Sequence, residues 1–345
     1  MAGKAQFRFS FGPWNIHDGA DVFGPPVRKP MEFSKKIKVY KELGFEGVQF
    51  HDDDAVTDVD VPHDQMIKEA KEMKKILDNE GLIAEFVAPR LWEHPKTVDG
   101  GYTANDPSDR EYAIERSKKA VDIARVLDTR NIVLWPAREG IYVNESKDHV
   151  ESTKRFIDAV NSLLEYDKEI RILGEMKPNE PMDHAYCPTT GHFMALAAAT
   201  ADPSRVGILI ESAHAILAGL DPAIEMGFAL SQNKLWSVHL NDQNGLKFDE
   251  DRIFGAINLK RAFDQVLVLW QNDFGADGEF VGLDIKALRT QKDGEATRHL
   301  AHSKEIFLHL LDVVKSVDMK KIEEYRKSRS YEDLEYYIIS KLLGR

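Results

Sequence analysis

Cysteine is nearly absent. Cys187 stands alone among 345 residues, so no intrachain disulfide can form and no thiolate metal site can be built. That usage suits a reducing compartment. Long apolar runs are missing too. No stretch of eighteen occurs, and the opening MAGKAQFRFSFG lacks the apolar core of a secretory signal. The expectation is a cytoplasmic protein with no membrane partner. Positive charge is in short supply: 46 Lys and Arg face 58 Asp and Glu, a net −12. A nucleic-acid partner needs a basic face, so this balance argues against one. A Gly-rich phosphate loop after the first apolar run is also lacking, and with it any sign of a nicotinamide site.

What is present is an alternation. The chain is 43% apolar and 30% charged, the balance of a globular protein with a substantial core. Eight short β-rich runs occur at 7–11, 47–51, 82–88, 131–135, 170–176, 206–212, 235–240 and 280–285. Segments with helical periodicity separate them. Phe33, Ile37, Tyr40 and Leu43 share one helix face that ends at Gly44, and the next helix ends at Gly81. Ser108 and Glu111 read as a capping box. Continuous apolar strands imply burial on both faces and hence a parallel sheet. Eight such units close most simply into an α/β (β/α)8 TIM barrel, with an open doubly wound sheet as the alternative. Residues 1–292 read as the barrel. Residues 293–345 read as a helical tail that supplies the last barrel helix and a packing or oligomerisation segment, with an apolar stripe at Leu334, Tyr337, Ile338 and Leu342.

In such a barrel the active site lies at the C-terminal ends of the strands. Nearly every strand here ends in groups that bind metal or move protons. The stretch 237–255 is the densest, with His239, Asp242, Asp249 and Asp251 within thirteen residues. Asp242 reads as a supporting group. Oxygen-rich sets with one or two imidazoles suit Mg²⁺, Mn²⁺ or Co²⁺. Glu211 and His214 stand three apart, where the chain turns, and can join Asp249 and Asp251 in one site. Glu175, Glu211, His239 and Asp284 can form a second, with Glu211 bridging, an arrangement that fits paired metals. Glu175 and Lys177, two apart, point to one strand face. Trp14, Trp92 and Trp135 are either core residues or a sugar-binding wall. Asp52 and Asp53 read as framework, and His63, His149, His299, His302 and His309 as surface or packing residues.

These residues resemble a known family. FHDDD (50–54), DGGYTAND (99–106), LWPAREG (134–140), EMKPNEP (175–181), ESAH (211–214), LNDQNG (240–245), FDEDRIFG (248–255) and LDIK (283–286) are similar to the ordered motifs of the D-xylose (glucose) isomerases, over about residues 8 to 290. The resemblance implies two divalent cations, no nicotinamide, a small sugar substrate and a 1,2-hydride shift between aldose and ketose. It implies that His51 with Asp54 opens the sugar ring and that Lys177 bonds the carbonyl end. Trp14 and Trp135 flank the sugar. Glu175, Glu211 and Asp284 hold the first metal. Glu211, His214, Asp249 and Asp251 serve the second, with Asp251 positioning the proton relay. Phe23 lies in a loop similar to one lent to a neighbouring subunit, which implies a homo-oligomer, dimer or tetramer.

Three departures stand out. His239 replaces an aspartate ligand of the xylose enzymes, which favours softer ions. It brings the set closer to L-rhamnose isomerases and ketose 3-epimerases. Ala88 and Arg90 stand where small polar residues contact the sugar's far end, so Arg90 meets an acidic sugar, a phosphate or Glu93. The tail is shorter than the family's C-terminal arm. An isomerase or 3-epimerase on another sugar is thus one alternative, and a metal-dependent lyase or hydrolase on the same barrel is another.

Overall fold

The computed structural model describes residues 6–345. Residues 1–5, the start of the segment read for a signal, lie outside them. Each of the eight apolar runs forms a strand: β1 (Phe9–Phe11), β2 (Gly47–His51), β3 (Ile83–Ala88), β4 (Asn131–Leu134), β5 (Arg171–Glu175), β6 (Val206–Glu211), β7 (Leu235–Leu240) and β8 (Val281–Leu283). All pair in parallel. The order β1-β8-β7-β6-β5-β4-β3-β2 returns to β1, so the sheet is a closed barrel and not an open doubly wound one. A two-stranded antiparallel ribbon (Gly140–Ile141 with His184–Ala185) sits outside the ring. No helix among the described residues is long and apolar enough to cross a membrane.

Helix ends follow local chemistry. Gly44 and Gly81 adopt positive φ (69° and 64°), where a Cβ is strained. The helix read from Ser108 starts instead at Pro107. Asp106 is its cap and accepts from the Ser108 N–H at 2.8 Å. Proline at the first helical position has no N–H to satisfy and favours that start, which displaces the Ser108–Glu111 box.

The core lies between the strands and the outer helices, and Phe9, Phe11, Phe45, Phe156, Phe193, Phe263 and Phe307 are buried in it. The C-terminal helices extend this layer. Phe307, on the helix Arg298–Ser316, meets Phe7 and Phe9 edge to face at 5.0 and 5.3 Å. Of the apolar stripe in the final helix (Tyr331–Leu342), Ile338 is buried, and Leu334, Tyr337 and Leu342 pack on the same core.

One feature inside the ring is polar. Glu85 of β3 bonds Ser10 of β1, Gln49 of β2 at 3.1 Å and Ser237 of β7 at 2.6 Å. Contacts that reach three other strands place this carboxyl within the barrel. Burial pushes its pKa up against the hydrogen bonds from Ser10 and Ser237. The native state therefore holds this proton to higher pH than the unfolded chain does, and ionising Glu85 costs stability as pH rises above the ordinary carboxyl range. In urea unfolding, Glu85→Gln should gain on wild type as pH rises above about 5. A gap that does not change with pH contradicts a buried acid with a raised pKa.

Candidate metal centre and substrate cavity

A cavity of about 590 Å³ opens at the C-terminal ends of the strands. Glu175 ends β5, Glu211 ends β6, His239 lies on β7, and Asp284 follows β8. One ligand atom from each of these four falls within 4.8 Å of all the others. His239 Nδ1 is 3.1 Å from Glu175, 3.7 Å from Glu211 and 3.7 Å from Asp284. A second group joins Glu211, His214 and Asp249, with His214 Nε2 at 3.3 Å from Glu211 and 3.1 Å from Asp249. Glu211 belongs to both. A turn of helix (Ser212–Leu217) directly after β6 swings His214 back over the strand end.

Close packing of His239 depends on a missing side chain. A Cβ on Gly282 of the neighbouring strand would lie 2.4 Å from Gln49 Nε2, 2.5 Å from the Val238 carbonyl and 3.0 Å from His239 Cδ2. Only glycine leaves that space.

The electrostatics are those of crowded acids. Glu175, Glu211, Asp249, Asp251 and Asp284 share one small region, and like charges at this range cannot all ionise. Burial and the nearby Asp249 hold Glu211 well above the usual carboxylate range. Burial and Asp249 likewise push Asp251 up to about 8. Glu175 goes the other way. Burial opposes its charge, but the His239 imidazolium outweighs that and lowers it. Burial disfavours a charged His239, yet Glu175 raises it well above its ordinary value. Asp249 is lowered by Lys177 and His214 in spite of its burial.

Several buried polar atoms remain without partners, among them Asp249 Oδ1, on a carboxylate held ionised. An orphaned anionic oxygen in a mixed imidazole–carboxylate set fits a divalent cation. The residues present suit one cation at each group.

The other predicted residues take definite places. Asp251 lines the cavity, but its carboxylate bonds Lys286 and, at 3.3 Å, Asn241, so it joins neither group of ligand atoms. His51 Nδ1 lies 3.0 Å from Asp54, and the ring sits 4.2 Å from Trp14. Trp14 donates to Asp284 at 3.0 Å. Trp92 and Trp135 meet at 4.5 Å. The Trp135 indole N–H has no hydrogen-bond partner among the described residues. Lys177 lies between Glu180 at 2.8 Å and Asp249 at 3.0 Å, over the Trp135 ring.

Arg90 lines the cavity already paired. It bonds Asp53 at 2.7 Å and Glu93 at 3.3 Å, and its Nη2 approaches His51 Nδ1 at 2.8 Å. A guanidinium only donates, so it competes with Asp54 for that nitrogen. Phe23 is 82% exposed and lies 6.0 Å from Phe248, outside the cavity of its own chain. Asp52 is framework, forked onto Arg116 at 2.7 and 2.9 Å. Asp242 supports the loop by accepting from the N–H groups of Ile257 and Asn258.

One residue that ties the site together, Asn241, was passed over in the sequence, whereas Glu139 stands among the groups beyond the end of β4. Asn241 donates to Glu211 at 2.8 Å and to Asp251 at 3.3 Å, and accepts from the Ala213 N–H at 2.7 Å. It ties β7 to both groups of acids. Its only signal was a position between His239 and Asp242. Glu139 takes three backbone N–H bonds from Gly101, Tyr102 and Thr103. It holds a loop and not a ligand.

Comparison with known proteins agrees with this architecture. The family described as "Xylose isomerase-like TIM barrel" matches residues 37–268. A xylose isomerase of Thermus thermophilus is 33% identical over 297 residues, covering 84% of this chain and 75% of that protein. Among solved structures, a D-tagatose 3-epimerase-like protein superposes with a TM-score of 0.63 at 17% identity, covering 90% of this chain and 98% of that one. A 3-keto-D-glucoside 4-epimerase from E. coli gives 0.62 at 13% identity, covering 87% and 100%. At these identities the two structures are alike in fold.

A cation must displace the protons held on Glu211 and His239, so uptake should strengthen as pH rises. Adding Mn²⁺ to chelator-treated protein should stabilise it by about 2.7 kcal/mol at a hundredfold excess over Kd. Glu211→Ala should lose that gain without losing its fold. A variant that still responds fully to Mn²⁺ contradicts the shared carboxylate.

Proposed function

The chain belongs to the xylose isomerase-like TIM barrel family, and on that premise we propose that it is a divalent-metal-dependent sugar isomerase. It interconverts an aldose and a ketose, with D-xylose to D-xylulose and D-glucose to D-fructose as the reference reactions. The observation that carries this reading is the meeting of both ligand groups, Lys177 and His51, which Asp54 backs at 3.0 Å, on one cavity. Glu175, Glu211, His239 and Asp284 hold one cation, and Glu211, His214 and Asp249 the other, with Asp251 beside them. When bound, the cations polarise the oxygens on C1 and C2.

The chain's own residues do the rest. Trp14 and Trp135 flank the sugar and keep bulk water from the migrating hydrogen. Lys177, held by Glu180 and Asp249, donates to the carbonyl oxygen as negative charge grows there. Asp251, with Lys286 alongside, is placed to pass a proton from one sugar oxygen to the other. His51 faces the ring oxygen for opening, with Asp54 and Arg90 at its Nδ1. The hydrogen moves from C2 to C1 with its electron pair, so no external oxidant enters. The loop with Val22 and Phe23, 84% and 82% exposed, is the part of the proposal that calls for a second copy of the chain.

His239 favours a second reading, an isomerase or 3-epimerase on another sugar. Turnover in D₂O separates the two. Hydride shift keeps the substrate hydrogen, whereas wholesale solvent deuterium at C2 or C3 points to proton abstraction. Lys177→Met should lower kcat by about 10²- to 10³-fold, the loss typical of one donor to a developing oxyanion. Unchanged kcat would remove Lys177 from the mechanism. His239→Asp should shift the preference of turnover toward Mg²⁺, and an unchanged metal profile contradicts the role given to His239.

A further inference from the structure

A second cavity, of about 240 Å³, shares Lys286 with the substrate cavity as a common wall. It lies between the loop after β7, the loop after β8 and the start of the helix Arg298–Ser316. In (β/α)8 barrels, the loops after the seventh and eighth strands and a nearby helix N-terminus often form a phosphate site.

Four features of this cavity fit an anion. Arg252 is half-buried on its wall, and among the described residues its guanidinium has no hydrogen bond or ion pair. Lys286, which bonds Asp251, and Arg298, which pairs with Glu295 at 3.1 Å, stand on the same wall, and among the described residues Glu295 is its one acid. Thr297 lends no side-chain cap to the 19-residue helix; the Leu300 N–H bonds the Thr297 carbonyl at 3.2 Å, which leaves the N–H groups of Arg298 and His299 for another acceptor. The fourth is His299, only 6% exposed. Its Nε2 bonds the Asn15 carbonyl at 2.8 Å, and a carbonyl only accepts, so the proton sits on Nε2. Nδ1 therefore carries a lone pair, and it is buried without a partner. Burial lowers the His299 pKa to about 4, which keeps that lone pair free.

A lone pair among cations selects a particular ligand. Sulfate brings charge and no O–H. Hydrogen phosphate and a singly protonated phosphate monoester bring both. We propose that this cavity binds a phosphate group. Arg252, Arg298 and the helix N–H groups hold its charged oxygens, and His299 Nδ1 accepts from its P–OH. The site draws on the same Lys286 that bonds Asp251, so its occupancy bears on the substrate cavity. The phosphate is either free in solution or carried by a sugar.

The test is calorimetric titration of the full chain, with its bound metals, using inorganic phosphate. One site per chain is expected, with sulfate at least about tenfold weaker. Arg252→Met and, independently, Arg298→Met should weaken phosphate by about tenfold or more. No phosphate binding, or affinity unchanged in both variants, overturns the site and places any bound phosphate elsewhere. Sulfate binding as tightly as phosphate overturns the role of His299. Turnover separates the two sources. If Arg252→Met lowers kcat/KM only for a 5-phosphorylated aldose, the phosphate belongs to the substrate. If it leaves kcat/KM unchanged for both sugars but loses phosphate binding, the phosphate is a free ligand. The titration needs no turnover, so failure of the isomerase reading leaves it decisive.

Discussion

Everything at this barrel's mouth is arranged around one buried carboxylate, Glu211. It is 3% exposed, and it faces a second imidazole–carboxylate group on either side. An isolated carboxylate at such a depth is strongly disfavoured. Its neighbours answer that in stages. Asn241 donates to it, His239 and His214 approach it, and Lys177 and Lys286 balance the acids beyond. The set is still over-supplied with negative charge, as the raised Glu211 and Asp251 show. Divalent cations bound there would relieve that excess, and would explain why a chain keeps five acids so close together.

The barrel makes the crowding possible. Glu175, Glu211 and Asp284 stand on or just past strands that are paired on both sides, so they cannot swing out to water without breaking the ring, whereas Asp249 and Asp251 reach in from the loop after β7. Gly282 lets β8 pass close to His239, and the polar network around Glu85 supports the barrel interior. Farther out, Asp52 with Arg116 and Glu139 with the 101–103 backbone fix the loops that carry His51, Arg90 and Trp135. Stability and chemistry thus use separate acids. Those that hold loops are satisfied by N–H groups or guanidinium, whereas those at the strand ends are left partly unsatisfied.

Much of this could be read from the sequence, for a physical reason. Strands buried on both faces are continuously apolar, so all eight stood out, and the polar residues that end them marked the functional rim. Other features depend on contacts that composition does not reveal. Asp106 displaced Ser108 as a helix cap because Pro107 favours the earlier start. Glu85, one acid inside an apolar run, gave no sign that it bonds across the barrel. Asn241 carries no charge and was passed over between two residues that do. Of the partners read for Arg90, an acidic sugar, a phosphate or Glu93, the structure shows Glu93, and nothing in the sequence signalled that Asp53 and Asp54 would pair with it as well. Among the described residues Arg252 carries a guanidinium with no hydrogen bond or ion pair, and its place beside His299 is created by the fold.

The shared carboxylate can be observed directly. Crystals equilibrated with Mn²⁺ should show two anomalous peaks per chain at the strand ends, both in contact with Glu211. A single ion, or two ions of which only one touches Glu211, contradicts the bridging role on which the site depends.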